Sequence, residues 1–436
     1  MNARSRELVN LVLVGILGTA AFGSAWIART NRVSADGLVD VAVIAALFVG
    51  AHVVGRFTVA RADPTLLPLA ALLTGIGLTV NYRLDPADAR KQAVWVALGI
   101  LAFAGTLVAL RFDYRILEQY RYIFGISAIG LLLLPSLPGL GQRVNGVRLW
   151  IHVGSLQFQP GEIAKLFLVL FLAGYLREKR EVLAQGRLKD LGPLLAIWGA
   201  AMLVLLQTSD LGSALLYFGV FLGMVYVATG RLTYVLGGGA LFLGGSTALY
   251  TALARVQERV TDWLHPFTST KVFCPANGTF DYRQNCQSYQ LVKSLYSIAH
   301  GGYGGTGIGR GTFRTLDGTQ LIPEIQTDFI YSAWSQEVGL IGAAALVLVF
   351  MVLVTRGMRV ALVAQDGFSK LLATGLAFGL ALQTFIIIGG VLRVVPLTGI
   401  TLPFVSYGGS SILANFVGLA LLMLVSHRAR ITSEAR

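Results

Sequence analysis

Cys274 and Cys286, the two cysteines of the chain, lie together in KVFCPANGTFDYRQNCQSYQ, residues 271–290, with one carboxylate, Asp281, between them. A carboxylate on a loose loop is poorly placed for chemistry, so a Cys274–Cys286 bridge would give Asp281 a fixed position. Closing a loop of that size is worth about 3 kcal/mol in the chain-entropy model. The other reading is two free thiols in an inserted segment.

Four further polar stretches interrupt the apolar sequence. NGVRLWIHVGSLQFQPGEIAK, residues 145–165, sets Glu162 and Lys165 three apart, on one helical face where they can pair. That pair is either a brace between helices or part of a pocket for a charged substrate. QTSDLGS, residues 207–213, offers Asp210 as a helix N-cap or as a surface acid. PEIQTDFIYSAWSQEVG, residues 323–339, carries Glu324, Asp328 and Glu337. In RVVPLTGITLPFVSYGGSS, residues 393–411, prolines and glycines break an apolar run, as irregular backbone does where it lines a protected cavity. Residues 300–312, HGGYGGTGIGRGT, formally contain G-x-G-x-x-G, but no βαβ unit surrounds them. Their glycines instead allow close approach of backbone or a bulky ligand, and Arg310 is available either to phosphate or to solvent.

The elements that must position these groups are membrane spans. Hydrophobic residues make up 55% of the chain and charged residues 13%, where soluble domains carry about a quarter charged. Apolar runs near 8–28, 37–56, 65–81, 92–111, 119–139, 160–177, 190–208, 211–229, 233–254, 330–355, 368–392 and 404–426 are long enough to cross a bilayer. The expected fold is an all-α polytopic membrane protein of about 12 transmembrane helices, since helices satisfy their own backbone in lipid. Residues 1–60 form an N-terminal helix pair, and 255–329 a large segment between spans nine and ten. Lys and Arg concentrate in MNARSRE, GRFTVAR, LREKRE, TRGMR and HRAR, which places both termini in the cytoplasm and the 255–329 segment outside. That compartment permits a disulfide. The net charge of +13 suits contact with anionic lipid, and no basic stripe with interleaved aromatics suggests nucleic acid. The five polar stretches then converge on an outward pocket suited to an amphiphile with an anionic head and a long apolar tail.

The motifs NGVRLWI, FQPGEIAKL, SDLGSALL, PEIQTDFI and PLTGITLPFVSYGGSS, in that order, resemble the SEDS family of bacterial cell-wall polymerases, the RodA, FtsW and SpoVE proteins. The likeness runs from about residue 65 onward, and the additional N-terminal pair is similar to the actinobacterial RodA-like branch. The resemblance implies a peptidoglycan glycosyltransferase of the bacterial cytoplasmic membrane that polymerises lipid II with inversion. It also implies a class B penicillin-binding protein as partner. The alternatives are a lipid II flippase and an inactive scaffold for the transpeptidase.

By this resemblance Asp281 is the catalytic base. Substrate contacts fall to Arg148, Trp150, Glu162, Lys165, Asp210, Arg310, Glu324, Asp328, Ser406, Gly408 and Gly409. A divalent cation, magnesium or manganese, could assist the leaving pyrophosphate, although no dedicated metal motif is present. Three departures touch the site: Arg283 stands at the spacing of the family's loop Asp, Lys293 where the family has Gln, and Gln326 where it has His.

Overall fold

The computed structural model describes residues 2–32, 36–144, 147–154, 156–185, 192–269, 271–274, 278–315 and 317–434. The chain is a bundle of membrane-length helices. Ten of them, among the described residues, are long and apolar enough to cross a membrane. They are α1 (Ala3–Thr30), α2 (Asp36–Thr58), α3 (Leu66–Leu84), α4 (Pro86–Ala109), the pair α5 (Ile116–Gln119) and α6 (Arg121–Leu133), α9 (Leu211–Thr229), α10 (Leu232–Ala252), α13 (Ile330–Val363), α14 (Gly367–Val391) and α15 (Gly409–Glu434). Two more complete the expected twelve. Helix α7 (Pro160–Ala184) is long but carries Glu162 and Lys165 within it, and α8 (Gly192–Gln207) is apolar but short.

Local sequence sets the helix ends. Asp85 caps α4 ahead of Pro86, Asp366 caps α14, and Gly230 closes α9 in the left-handed conformation. Helices α14 and α15 form the centre of the bundle, with 72% and 78% of their most apolar stretches buried, whereas none of α10's is. Lipid supplies no hydrophobic drive between helices, so small residues set the close contacts. Gly77 faces the backbone of Val405, Gly99 the ring of Phe416 and Gly357 the methyl of Ala377.

The C-terminal ends of α1, α3, α6, α8, α10 and α14 and the N-terminal ends of α2, α4, α7, α9, α13 and α15 share one end of the bundle, here the loop end, with the described residues between them. Two short sheets decorate it. One is antiparallel, β1 (Gly141–Val144), β2 (Val147–Val153) and β3 (Leu156–Phe158), with Ile151 opposite both Gly141 and Phe158. The other is the hairpin β4 (Lys271–Cys274) and β5 (Thr279–Tyr282). The hairpin lies between two helices, α11 (Ala254–Leu264) and α12 (Tyr289–Gly301), so the 255–329 segment is a folded unit.

Helix α13 is broken at Gly339 (φ 67°, ψ −170°). The glycine-rich stretch repairs the break: Thr306 N donates to Gln336 O (3.0 Å), Gly307 N to Glu337 O (2.9 Å), and Leu340 N to Gly302 O (2.9 Å). A Cβ on Gly305 or Gly339 would collide with the opposing backbone. The glycines therefore serve approach of chain to chain, and the backbone groups freed at the break find partners, as they must at membrane depth.

Candidate functional site

Three of the loop-end polar residues, Arg259, Asp210 and Asp328, come together near one dipeptide, Thr398–Gly399. Arg259 on α11 donates to Thr398 O (3.3 Å). Gly212, at the start of α9, packs so closely on Thr398 O that a Cβ would stand 2.7 Å from it. Gly399 is in the left-handed conformation (φ 74°), where a Cβ would meet Asp328 Oδ2 at 3.4 Å. Three separate elements thus bring Arg259, Asp210 and Asp328 to the same turn. Helix α11 is held there by Arg393, which donates to its terminal carbonyls at Trp263 (2.7 Å) and Leu264 (3.1 Å), while Trp263 Nε1 donates back to Arg393 O (3.0 Å). A cation at a helix C-terminus is favourable.

Asp210 caps α9 by accepting from Ser213 N (3.0 Å), and burial, with Glu162 adding, raises its pKa. Asp328 is half-buried; burial first, and then neighbouring Glu324, push its carboxyl up to about 7. Glu324 is exposed and left-handed (φ 58°), and its carbonyl accepts from the Thr327 and Asp328 amides. Burial lowers the pKa of Arg259, with Asp328 and Asp210 opposing that shift. Among the described residues, none of Asp210, Glu324 and Asp328 has a cation within salt-bridge distance.

Glu162 and Lys165 are paired as their spacing predicts (2.8 Å). Lys165 also donates to Gln383 Oε1 (2.8 Å), and Gln383 donates to Thr401 O (2.8 Å), so the pair joins α7, α14 and the 393–408 loop. Next to it is a small apolar groove lined by Lys165, Gln383, Asn415, Gly375, Gly379 and Gly418.

Ser406, Gly408 and Gly409 hold that loop in place. Ser406 is buried, donates to Thr327 O (2.5 Å) and accepts from Leu402 N (2.9 Å). Gly408 abuts the Thr401 side chain, and Gly409 lies against the ring of Trp95. Their contacts position the Asp328 segment. Trp150 is half-buried and Arg148 exposed on β2, which is tied to α15 through the Gln159 N–Ser410 Oγ bond (2.6 Å) just beyond β3. Asn145 and Gly146, which open that motif, lie outside the described residues. Arg310 is exposed, beside the Gly311–Glu337–Arg83 contact.

Asp281 sits on β5 opposite Val272. Its carboxylate accepts from Tyr282 N (2.7 Å) and Asn285 Nδ2 (3.2 Å), both neutral donors. Cys274 and Cys286 are bridged, with Cα atoms 5.6 Å apart. Arg283 pairs with Asp262 of α11 (3.0 Å), and its amide donates to Thr268 Oγ1 (3.2 Å). The hairpin is thus fastened by a covalent bond and an ion pair.

Sequence reasoning passed over Arg259, Asp262 and Gln383. The signal for the first two is the alternation of charge along ARVQERVTDWL, an amphipathic helix straight after a span. For Gln383 it is an amide inside an apolar run. Among the described residues no three His, Cys, Asp or Glu side chains are grouped as a dedicated all-protein metal site requires.

A family model described as cell cycle protein, FtsW/RodA/SpoVE, matches residues 65–431. The chain is 39% identical over 405 residues to the peptidoglycan glycosyltransferase RodA of Mycobacterium leprae, covering 88% of this chain and 82% of the relative. It superposes with a TM-score of 0.68 and 28% identity on a chain of a solved peptidoglycan synthase complex, covering 84% of this chain and 98% of that one. The rod shape determining protein RodA of Thermus thermophilus superposes with a TM-score of 0.60 and 27% identity over 85% of this chain and 97% of its own. The family match covers most of the chain, and the chain belongs to the SEDS family of FtsW, RodA and SpoVE proteins.

Proposed function

We propose that this multi-pass membrane protein is a peptidoglycan glycosyltransferase that extends glycan strands from lipid II at the outer leaflet of the bacterial cytoplasmic membrane. In this reading the loop end faces outward and both termini face the cytoplasm, in keeping with the Lys and Arg distribution. The observation that carries the reading is a loop-end carboxylate cluster with one arginine, beside the Glu162–Lys165 pair whose lysine lines an apolar groove between helices. A lipid-linked sugar pyrophosphate has the matching parts: hydroxyls for the acids, an anion for the cation and a polyprenyl tail for the groove.

The reaction joins a sugar 4-hydroxyl to the anomeric carbon of a second sugar. The hydroxyl proton passes to a base, the new C–O bond forms as the bond to pyrophosphate breaks, and the pyrophosphate leaves with the electron pair. Asp281 is the base in this proposal. Neutral donors hold its carboxylate, so among the described residues no cation competes with the incoming proton, and a sugar hydroxyl can replace Asn285 as its partner. The disulfide and the Arg283–Asp262 pair fix the strand that carries it. Asp210, Glu324 and Asp328 accept from sugar hydroxyls, while Glu162 and Lys165 set the floor of the head-group site. A class B penicillin-binding protein is the proposed partner.

The test is gel analysis of strands made from lipid II by the purified chain, with and without its transpeptidase. Polymer of many repeats is expected. Flipping of lipid II in vesicles without any polymer would reject the reading in favour of a transporter.

A further inference from the structure

We propose that Arg259, poised at the Thr398–Gly399 turn, is the group that receives the pyrophosphate of the lipid-linked substrate. This rests on the polymerase reading for its biological meaning, but it is an anion site in its own right. A leaving pyrophosphate gathers negative charge as the C–O bond breaks, and a fixed cation there speeds the step. The loop end offers several cations, and most are engaged. Lys165 is held by Glu162 and Gln383. Arg283 is held by Asp262, Arg393 by the carbonyls of α11, and Arg83 by Glu337 and Gly311 O. Arg148 and Arg310 are exposed, away from the Thr398–Gly399 turn in the contacts they make.

Arg259 differs from all of these. It is half-buried, yet of its five N–H donors one is used among the described residues, in a 3.3 Å bond to Thr398 O. Its guanidinium is a planar fork that matches phosphate oxygens in pairs. The glycines around it keep the turn bare: Gly399 puts no side chain between the turn and Asp328, and Gly212 none between α9 and Thr398. The neighbouring acids Asp210 and Asp328, beyond salt-bridge distance, favour the charged guanidinium and compete with the incoming anion for it. In the transfer step the acceptor proton goes to the base, the C–O bond to pyrophosphate breaks, and the charge left on the pyrophosphate oxygen is met by Arg259.

The probe is inorganic pyrophosphate, used as an inhibitor of strand synthesis and, separately, as a stabiliser against thermal unfolding of the full chain in detergent. Wild type should be inhibited and stabilised. Arg259→Gln should lose both responses and about 10²–10³ in turnover. Arg255→Gln removes the same charge one turn away on α11 and should keep both responses. Asp328→Asn deletes a competing anion and should strengthen stabilisation by pyrophosphate, a readout that holds even where Arg259→Gln folds poorly. Stabilisation unchanged in Arg259→Gln, equally lost in Arg255→Gln, or weakened in Asp328→Asn overturns the assignment. If the wild type makes no polymer yet its stabilisation depends on Arg259, the polymerase reading falls and the anion site stands.

Discussion

The two ends of the bundle differ in how their acids are paired: the loop end combines paired acids, such as Glu337 with Arg83, with three that, among the described residues, have no cation within salt-bridge distance. At the end carrying the chain termini, Glu7 is fully buried and bonded to both Arg4 (2.5 Å) and His52 (2.7 Å). Arg4 also donates to Ala62 O (2.5 Å), which fastens the N-terminal pair to the start of the family core. Asp63 is bonded to Arg430 (2.8 Å), lies 3.7 Å from Arg356 and accepts from Thr65. At the loop end Asp210, Glu324 and Asp328 stand without such partners, around an arginine whose donors are mostly unused. Charges that only hold helices together are neutralised, because an unpaired buried ion is costly. Half-buried charges left without a salt-bridge partner, as Asp210 and Asp328 are among the described residues, keep part of that cost, and a substrate can relieve it.

The contrast can be tested from its strongest consequence downward. Asp281→Asn should lower strand synthesis by about 10²–10⁴ while thermal stability stays near wild type; measuring both on one preparation separates base loss from unfolding. At the opposite end, Glu7→Ala should cost about 3–5 kcal/mol, since Arg4 would be left buried beside His52. A thermal melt should show that loss, and an unshifted midpoint would show the charge network to be dispensable. Replacing both cysteines with serine should cost about 2–4 kcal/mol locally. Hydrogen exchange should then rise in residues 271–286 and not in α14, whereas uniform exchange would mean that the bridge supports the whole bundle.

The pH dependence has a definite sign. The Asp328 carboxyl, ordinarily at 3.8, is raised to about 7 in the fold, so the folded state binds that proton more tightly. Its contribution to stability is complete below about 4, declines as pH rises, and is lost above about 7. Asp328→Asn should flatten stability across that window. A wild-type profile already flat there would mean that the carboxyl is solvated. The smallest effect is expected at Gly399, whose φ of 74° makes Gly399→Ala cost about 1–2 kcal/mol from backbone strain. The same methyl would reach only ordinary van der Waals contact with Asp328 Oδ2 (3.4 Å), so turnover should fall no further than the backbone strain explains.

Much of this was legible without coordinates because it is local. Twelve apolar runs give twelve helices, since span length is set by the bilayer and each helix satisfies its own backbone. The Glu162–Lys165 pair and the Asp210 cap follow from spacing along a helix. The proximity of Cys274 and Cys286 needed one short hairpin. Ser406, Gly408 and Gly409 read as substrate contacts from their motif, yet they make packing contacts that seat the loop. Their type marks a place where backbone must pass closely, and it does not say what lies on the other side.

By itself the sequence determined the class of molecule, the number of spans, the helix starts and the residues of the hairpin, because each depends on hydrophobicity or on neighbours within a few positions. Only the tertiary structure decided that α11 lies against the 393–398 turn, that Gly305 meets the break at Gly339, and that Arg259, Asp210 and Asp328 share one site. Those contacts join residues from 34 positions apart, Gly305 and Gly339, to 186 apart, Gly212 and Thr398. They follow from how the faces of several helices pack, and no single segment encodes them.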